Sequence, residues 1–226
     1  MSRFAVVSVV VVSLFSSVAL ADRAYVPQPV PHFARAPQAE MEPPSVAPAR
    51  RLDRDTVRAV LVAQRAKNLA SFRAYQQAGT FPSNTYKDRL LNVWRDDAGH
   101  LCAAATIINL SGQTELVKRV AEQNNFIKLG DVTTGPLMDW ILTSGFTQDE
   151  IALIQRPYRP VTRKPTPTNE TPVIDARLRT AETVRLMQLY KQIDAKLVKD
   201  ERASIERAVT RLMKKPALAW QLFDAA

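Results

Sequence analysis

His100-Leu-Cys102-Ala103-Ala104-Ala105-Thr106-Ile107-Ile108-Asn109, followed by Leu110, Ser111 and Gly112, is the stretch on which the fold class turns. Thr106-Ile107-Ile108 would suit the second strand of a hairpin. Asp96-Asp97-Ala98-Gly99 would then be its turn and Leu91-Asn92-Val93-Trp94 a first strand or extended segment. Three successive alanines, however, offer a strand little to pack, whereas they give a helix high propensity and close approach to its neighbours. Gly112 also stands just past the last apolar residue, where a left-handed C-cap belongs. The helix is preferred, and with it a mainly α chain: a small helical module with at most a short hairpin, plus a long C-terminal helix or helix pair.

Toward the amino terminus, Asp53 to Ala78 reads as a long helix with Val57, Val60, Leu61, Leu69 and Phe72 on one broad face. Asp53 or Asp55 can cap its start, and Gly79 followed by Pro82 stops it. In the other direction, Thr114 is expected to cap a helix to about Gln123, with Leu116, Val117 and Val120 inward and Asn124-Asn125 at its end. Pro136 suits the first position of the next helix, which Gly145 closes. Phe146-Thr147-Gln148-Asp149-Glu150-Ile151 carries a reciprocal capping box, Thr147 with Glu150, and a hydrophobic staple, Phe146 with Ile151. That helix must end before Pro157, so residues 137–155 form a helical hairpin or a sharper corner.

Residues 173–215 contain neither Gly nor Pro. Leu186, Tyr190, Ile193 and Leu197 step by four, three and four as one packed seam. The seam fails at Glu201 and resumes at Ile205, Val209 and Leu212, so two helices joined near Asp200 or one kinked helix are expected. Two proline-rich stretches frame the module. Residues 22–50 hold seven of the fifteen prolines with balanced charge and read as a disordered linker. Residues 156–172 hold five more prolines with Arg156, Arg159, Arg163 and Lys164 and read as a basic linker. The expected organisation is thus 1–21, 22–50, 51–155, 156–172 and 173–226. The pattern leaves open whether the last segment packs on the module or binds a partner.

Residues 1–21 have the form of a secretory signal peptide: Arg3, an apolar run from Phe4 to Leu20, and Ala19-Leu20-Ala21 before Asp22. Cleavage at Ala21-Asp22 would place the remaining chain in the periplasm or outside the cell, with no transmembrane span. The alternative is an uncleaved anchor, which would make the protein a membrane-tethered spacer. A single cysteine leaves no intrachain disulfide in such a compartment.

Between residues 92 and 155, Asp97, Gly99, Cys102-Ala103, Ser111-Gly112, Asn124-Asn125, Trp140, Ser144-Gly145-Phe146-Thr147, Glu150 and Ile154-Gln155 resemble a recurring segment of secreted bacterial proteins that has no assigned activity. Ala104-Ala105 replaces its valine-glycine pair. The resemblance implies one compact module around Cys102 and a secreted location, and it transfers no catalytic role.

With 46% hydrophobic and 23% charged residues the 226-residue chain can bury a core, while 6 Gly and 1 Cys exclude collagen-like and disulfide-stapled classes. His100 and Cys102 are the one candidate thiol dyad. Two residues apart, they share a face in a strand but not in a helix, so the preferred helix makes Cys102 a packed thiol. Two histidines and one cysteine do not furnish a zinc site, His32 falls in the first linker, and no cofactor is expected. Asp96, Asp97 and Asp131 could offer oxygen to calcium but lack the alternation of a calcium loop, and read better as turn and cap residues. Asp139 with Asp149 or Glu150 could form a carboxylate pair, though nothing selects them from surface acids. Trp94, Trp140 and Trp220 read as core anchors.

Formal charge is +9, and past residue 155 the excess is +3 for 156–172 and +4 for 173–226. Arg163, Lys164, Arg207, Arg211, Lys214 and Lys215 are therefore the candidate partner-binding residues. Their partner would be an anionic envelope polymer, a lipid surface or an acidic protein rather than nucleic acid. Interspersed acids equally allow a plain solvated helix face. The expected function is a secreted, non-catalytic interaction or structural protein of the bacterial envelope or extracellular space. A thiol- or carboxylate-dependent hydrolase of envelope material is the alternative.

Overall fold

The computed structural model describes residues 51–163 and 172–224. The expected signal peptide, first linker, His32 and Lys164 lie outside the described residues. What is described is mainly α: eight α-helices and one short 3-10 turn, with no strand among the described residues. In order these are α1 (Arg54–Ala78), α2 (Ala103–Leu110), α3 (Thr114–Asn124), the 3-10 turn Leu129–Asp131, α4 (Pro136–Thr143), α5 (Gln148–Ile154), α6 (Ala176–Lys199), α7 (Glu201–Leu212) and α8 (Pro216–Asp224).

Local sequence accounts for most helix ends. Asp53 accepts from Thr56 N, and Gly79 ends α1 at φ 62°. Cys102 starts α2, its sulfur accepting from Ala105 N at 3.4 Å. The Thr147–Glu150 capping box is fully formed, and Phe146 and Ile151 are both buried beside it. Asp175 opens α6 by accepting from Arg177 N and Leu178 N. The seam of α6 and α7 is buried throughout and breaks between Lys199 and Glu201, at Asp200, where its spacing fails in the sequence.

Two expectations are corrected and one is narrowed. Thr114 is the first helical residue of α3 rather than its cap, and Gln113 before it makes no side-chain cap bond. Of the two forms expected for Leu91–Trp94 the strand gives way to the extended segment: Leu91 exchanges backbone bonds with Tyr158, at 3.1 and 2.9 Å, and the turn at 96–99 is closed only by an isolated antiparallel bridge of Arg95 with Leu101. The second linker begins as core, because Tyr158 and Val161 are buried and Val161 N reaches Asn84 O. Prolines 157 and 160 forbid a helix there but permit this extended path.

The last three helices pack on the module. α7 lies against α1 and α4, α6 against α1 and α5, and α8 against α4 and α7. The α1–α7 contact carries a clasp in which Arg58 Nε (2.7 Å) and Arg54 Nη2 (3.0 Å) donate to Glu206. Those hydrogen bonds pull the Glu206 carboxyl down to about 2. Being exposed, the clasp adds little stability. The weight is borne by the core, where Tyr190 of α6 meets Phe72 and Tyr75 of α1 and Phe81, ring centroids 5.5 to 5.7 Å apart. The hydroxyl of Tyr158 sits 3.4 Å from those of Tyr75 and Tyr190, so three buried phenols share their polar ends.

Candidate functional site

The fold first decides which reactive groups remain available. Cys102 is fully buried, its sulfur is occupied as the α2 cap, and burial pushes its thiol up to about 12. A thiol so placed stays neutral and is no nucleophile. Alkylation of Cys102 at pH 8 is expected to run at least about a hundredfold slower in the folded protein than in denaturant. A rate equal to that of the denatured chain would show the site to be open.

His100 does not join Cys102. Its Nδ1 lies 3.0 Å from Asp96 Oδ2, and Asp96 also accepts from the backbone nitrogens of Ser83, Ala98 and His100. This buried carboxylate ties the 96–100 turn to the Ser83 segment, the turn role read from sequence. Asp97 accepts from Tyr86 OH at 2.8 Å, and Asp131 lies on the 3-10 turn. No three His, Cys, Asp or Glu side chains gather into a metal set among the described residues. Glu150 is held in a buried ion pair with Arg65 at 2.8 Å, and Asp149 is exposed. Trp94 and Trp140 are buried, their indole nitrogens bound to Val117 O and Ser111 Oγ, and Trp220 is half-buried against Phe223.

The predicted cationic set is only partly free. Arg163 pairs with Asp175, Arg207 donates to Ser204 Oγ (3.1 Å), and Arg211 reaches Gln148 Oε1 (3.4 Å). Lys214 and Lys215 are exposed. A second set, absent from the sequence reading, surrounds an open cleft of about 580 Å³. Arg89, Lys128 and Arg156 line it, with no side-chain partner among the described residues. Leu91, Leu129 and Pro157 supply apolar wall, and Asp131 is its one carboxylate.

Amide side chains build this cleft. Asn125 accepts from Arg95 N at 2.9 Å and donates to Arg95 O at 2.8 Å, pinning the chain after α3 to the segment after Trp94. Gln155 accepts from Leu129 N and donates to Ile127 O, both at 2.9 Å, and Gln148 donates to the carbonyls of Leu129, Gly130 and Val132. The loop's backbone is thereby satisfied internally, which leaves Phe126 and Lys128 on its outer side. The antiparallel Leu91–Tyr158 backbone pair ties together the two segments from which Arg89, Leu90 and Arg156 line the cleft. Leu90 is 55% and Phe126 39% exposed, and Tyr86 meets Phe126 edge to face at 5.2 Å.

Two other clefts carry less net positive charge. One of about 400 Å³ beside Trp140 is walled by Gln64, Gln113 and Gln221 with Asp139 as its only carboxylate. Another, about 630 Å³, lies where α1 meets the α6–α7 break; there Arg58 is held by Glu206, and Lys199 and Arg202 share the wall with a second acid, Glu201. Among the described residues no helix is long and apolar enough to cross a membrane.

The fold and its clefts define a helical protein whose open cationic cleft contrasts with enclosed thiol and acid groups. No family model, curated protein or solved structure matches the chain.

Proposed function

We propose that the protein is a non-catalytic interaction protein of the bacterial envelope or extracellular space that holds an anionic partner on its basic surface. The observation that carries this reading is the cleft of Arg89, Lys128 and Arg156, cations the fold leaves without internal partners beside exposed apolar side chains. Unpaired charge lowers stability slightly and is available for recognition. The signal-like residues 1–21 and the resemblance of residues 92–155 to a segment of secreted bacterial proteins support the location. A two-carboxylate hydrolase needs a partner for Asp139 across the Trp140 cleft, and that cleft offers no second acid.

At low ionic strength the chain from Asp22 should be retained on a sulfated polysaccharide matrix and released as salt shortens the screening length to about 8 Å. Passage through the matrix at low salt, or elution indifferent to salt, would overturn the reading.

A further inference from the structure

We infer that the cleft of Arg89, Lys128 and Arg156 is a docking face for a bilayer containing acidic phospholipid, the headgroup phosphate seated among the three cations. The inference rests on the anionic-partner reading and gives it a site and an occupant.

Three features select a bilayer over an anionic polymer or an acidic protein. The cations ring one short cleft of about 580 Å³, the scale of a headgroup, whereas a polymer is gripped by cations strung along an extended track. Its borders bear Leu90 and Phe126, large apolar side chains left to water at 55% and 39%. Exposed apolar groups beside cations suit the boundary between headgroups and acyl chains, where aromatic rings concentrate. Phe126 is also held in place, by Tyr86 at 5.2 Å, and Tyr86 in turn by its hydroxyl on Asp97 at 2.8 Å. A pre-set wedge loses little entropy on insertion. Lys87 adds a further exposed cation on the same segment, against Asp88 and Asp131 as the acids.

The test is cosedimentation of the chain from Asp22 with phosphatidylglycerol–phosphatidylcholine vesicles and with pure phosphatidylcholine vesicles. Binding is expected only to the former. Each cation near an anionic bilayer is worth about a factor of five in affinity, so Arg89→Gln with Lys128→Gln and Arg156→Gln should weaken vesicle binding about a hundredfold. Leu90→Ser with Phe126→Ser should weaken it about tenfold at unchanged charge. Lys214→Gln with Lys215→Gln should change it less than the cleft triple variant by an order of magnitude. All four residues of the two cleft variants other than Arg156 are exposed, so unchanged melting is the control for folding.

Failure to bind phosphatidylglycerol vesicles overturns the inference. So does an equal loss from the Lys214 and Lys215 variant, or indifference to the Leu90 and Phe126 variant, which would mark a soluble polyanion or an acidic protein as the occupant. Salt-dependent retention on the polysaccharide matrix without vesicle binding would sink this site alone, whereas passage through the matrix would sink the broader reading and this site with it.

Discussion

Gly145→Ala is expected to cost about 4 kcal/mol or more of folding stability, enough to threaten the native state of a typical domain. Gly145 adopts φ 79°, and a Cβ there would stand 2.3 Å from Leu61 O, 2.7 Å from Arg65 N and 2.8 Å from Arg65 Cβ. Two of these atoms are helix backbone, which cannot swing aside as a flexible side chain could. The α4–α5 corner would have to lift off α1, opening the core around Phe146. Gly79→Ala separates the two sources of strain: Gly79 is also left-handed, at φ 62°, but nothing lies within 4 Å of its missing Cβ. That variant should cost about 1–2 kcal/mol from backbone conformation alone. Urea unfolding of both would measure the difference, and equal midpoints would refute the close approach at the corner.

The helix types were readable because caps and seams are local. Asp53, Gly79, Thr147 with Glu150, and the spacing from Leu186 to Leu212 each act within a turn or two of chain. Which side of α1 faces inward was only partly readable. The buried stripe runs Val57, Leu61, Arg65, Asn68, Phe72 and Tyr75, so two polar residues occupy core positions, while Val60 and Leu69 fall at its edge. Steps of four, four, three, four and three mark that stripe as well as any apolar one. Hydrophobicity misled because the partners that neutralise Arg65 and Asn68 are supplied by Gly145, Ser144, Glu150 and Leu197, some eighty to more than a hundred residues away. Tyr158 was missed for a related reason: prolines describe what a segment cannot be, and its extended pairing with Leu91 is set by distant chain.

The same limit hid the cleft. A charge tally along the sequence places the basic excess beyond residue 155 but is blind to pairing. Arg163, Arg207 and Arg211 turn out to hold internal partners, whereas Arg89, Lys128 and Arg156, in near-neutral surroundings or at a linker's edge, converge unpaired. One local signal existed: Asn124-Asn125 and the amides Gln148 and Gln155 mark a loop whose backbone needed internal partners, hence a shaped loop rather than a slack one.

Arg65→Met should destabilise the protein by about 3–5 kcal/mol at pH 7, because it leaves a buried carboxylate without its cation. The guanidinium, 1% exposed, donates to Glu150 at 2.8 and 3.1 Å, to Leu197 O at 2.7 Å and to Gly145 O at 3.2 Å, and lies 4.8 Å from the centre of the Phe146 ring. One side chain thus joins α1 to the corner before α5 and to the end of α6. Burial by itself would raise the Glu150 carboxyl, but the Arg65 hydrogen bonds, the Thr147 backbone bond and the Arg65 charge outweigh it and hold the group below the ordinary range. In the parent protein Glu150 therefore stabilises the fold above about pH 4.5, and that contribution fades as pH falls through its lowered native value. Without Arg65 burial is opposed only by the Thr147 and Ser204 hydrogen bonds, so the native carboxyl rises from its lowered position. The variant then gains relative stability on acidification, so the gap between the two proteins should narrow from pH 7 toward pH 4. Other carboxylates lowered in the native state, such as Asp53 and Glu206, titrate in both proteins and cancel in the difference. Urea titrations of the pair at several pH values would read that gap. A gap constant across the range would mean that Arg65 acts by packing and carbonyl bonds alone, with no charge coupling to Glu150.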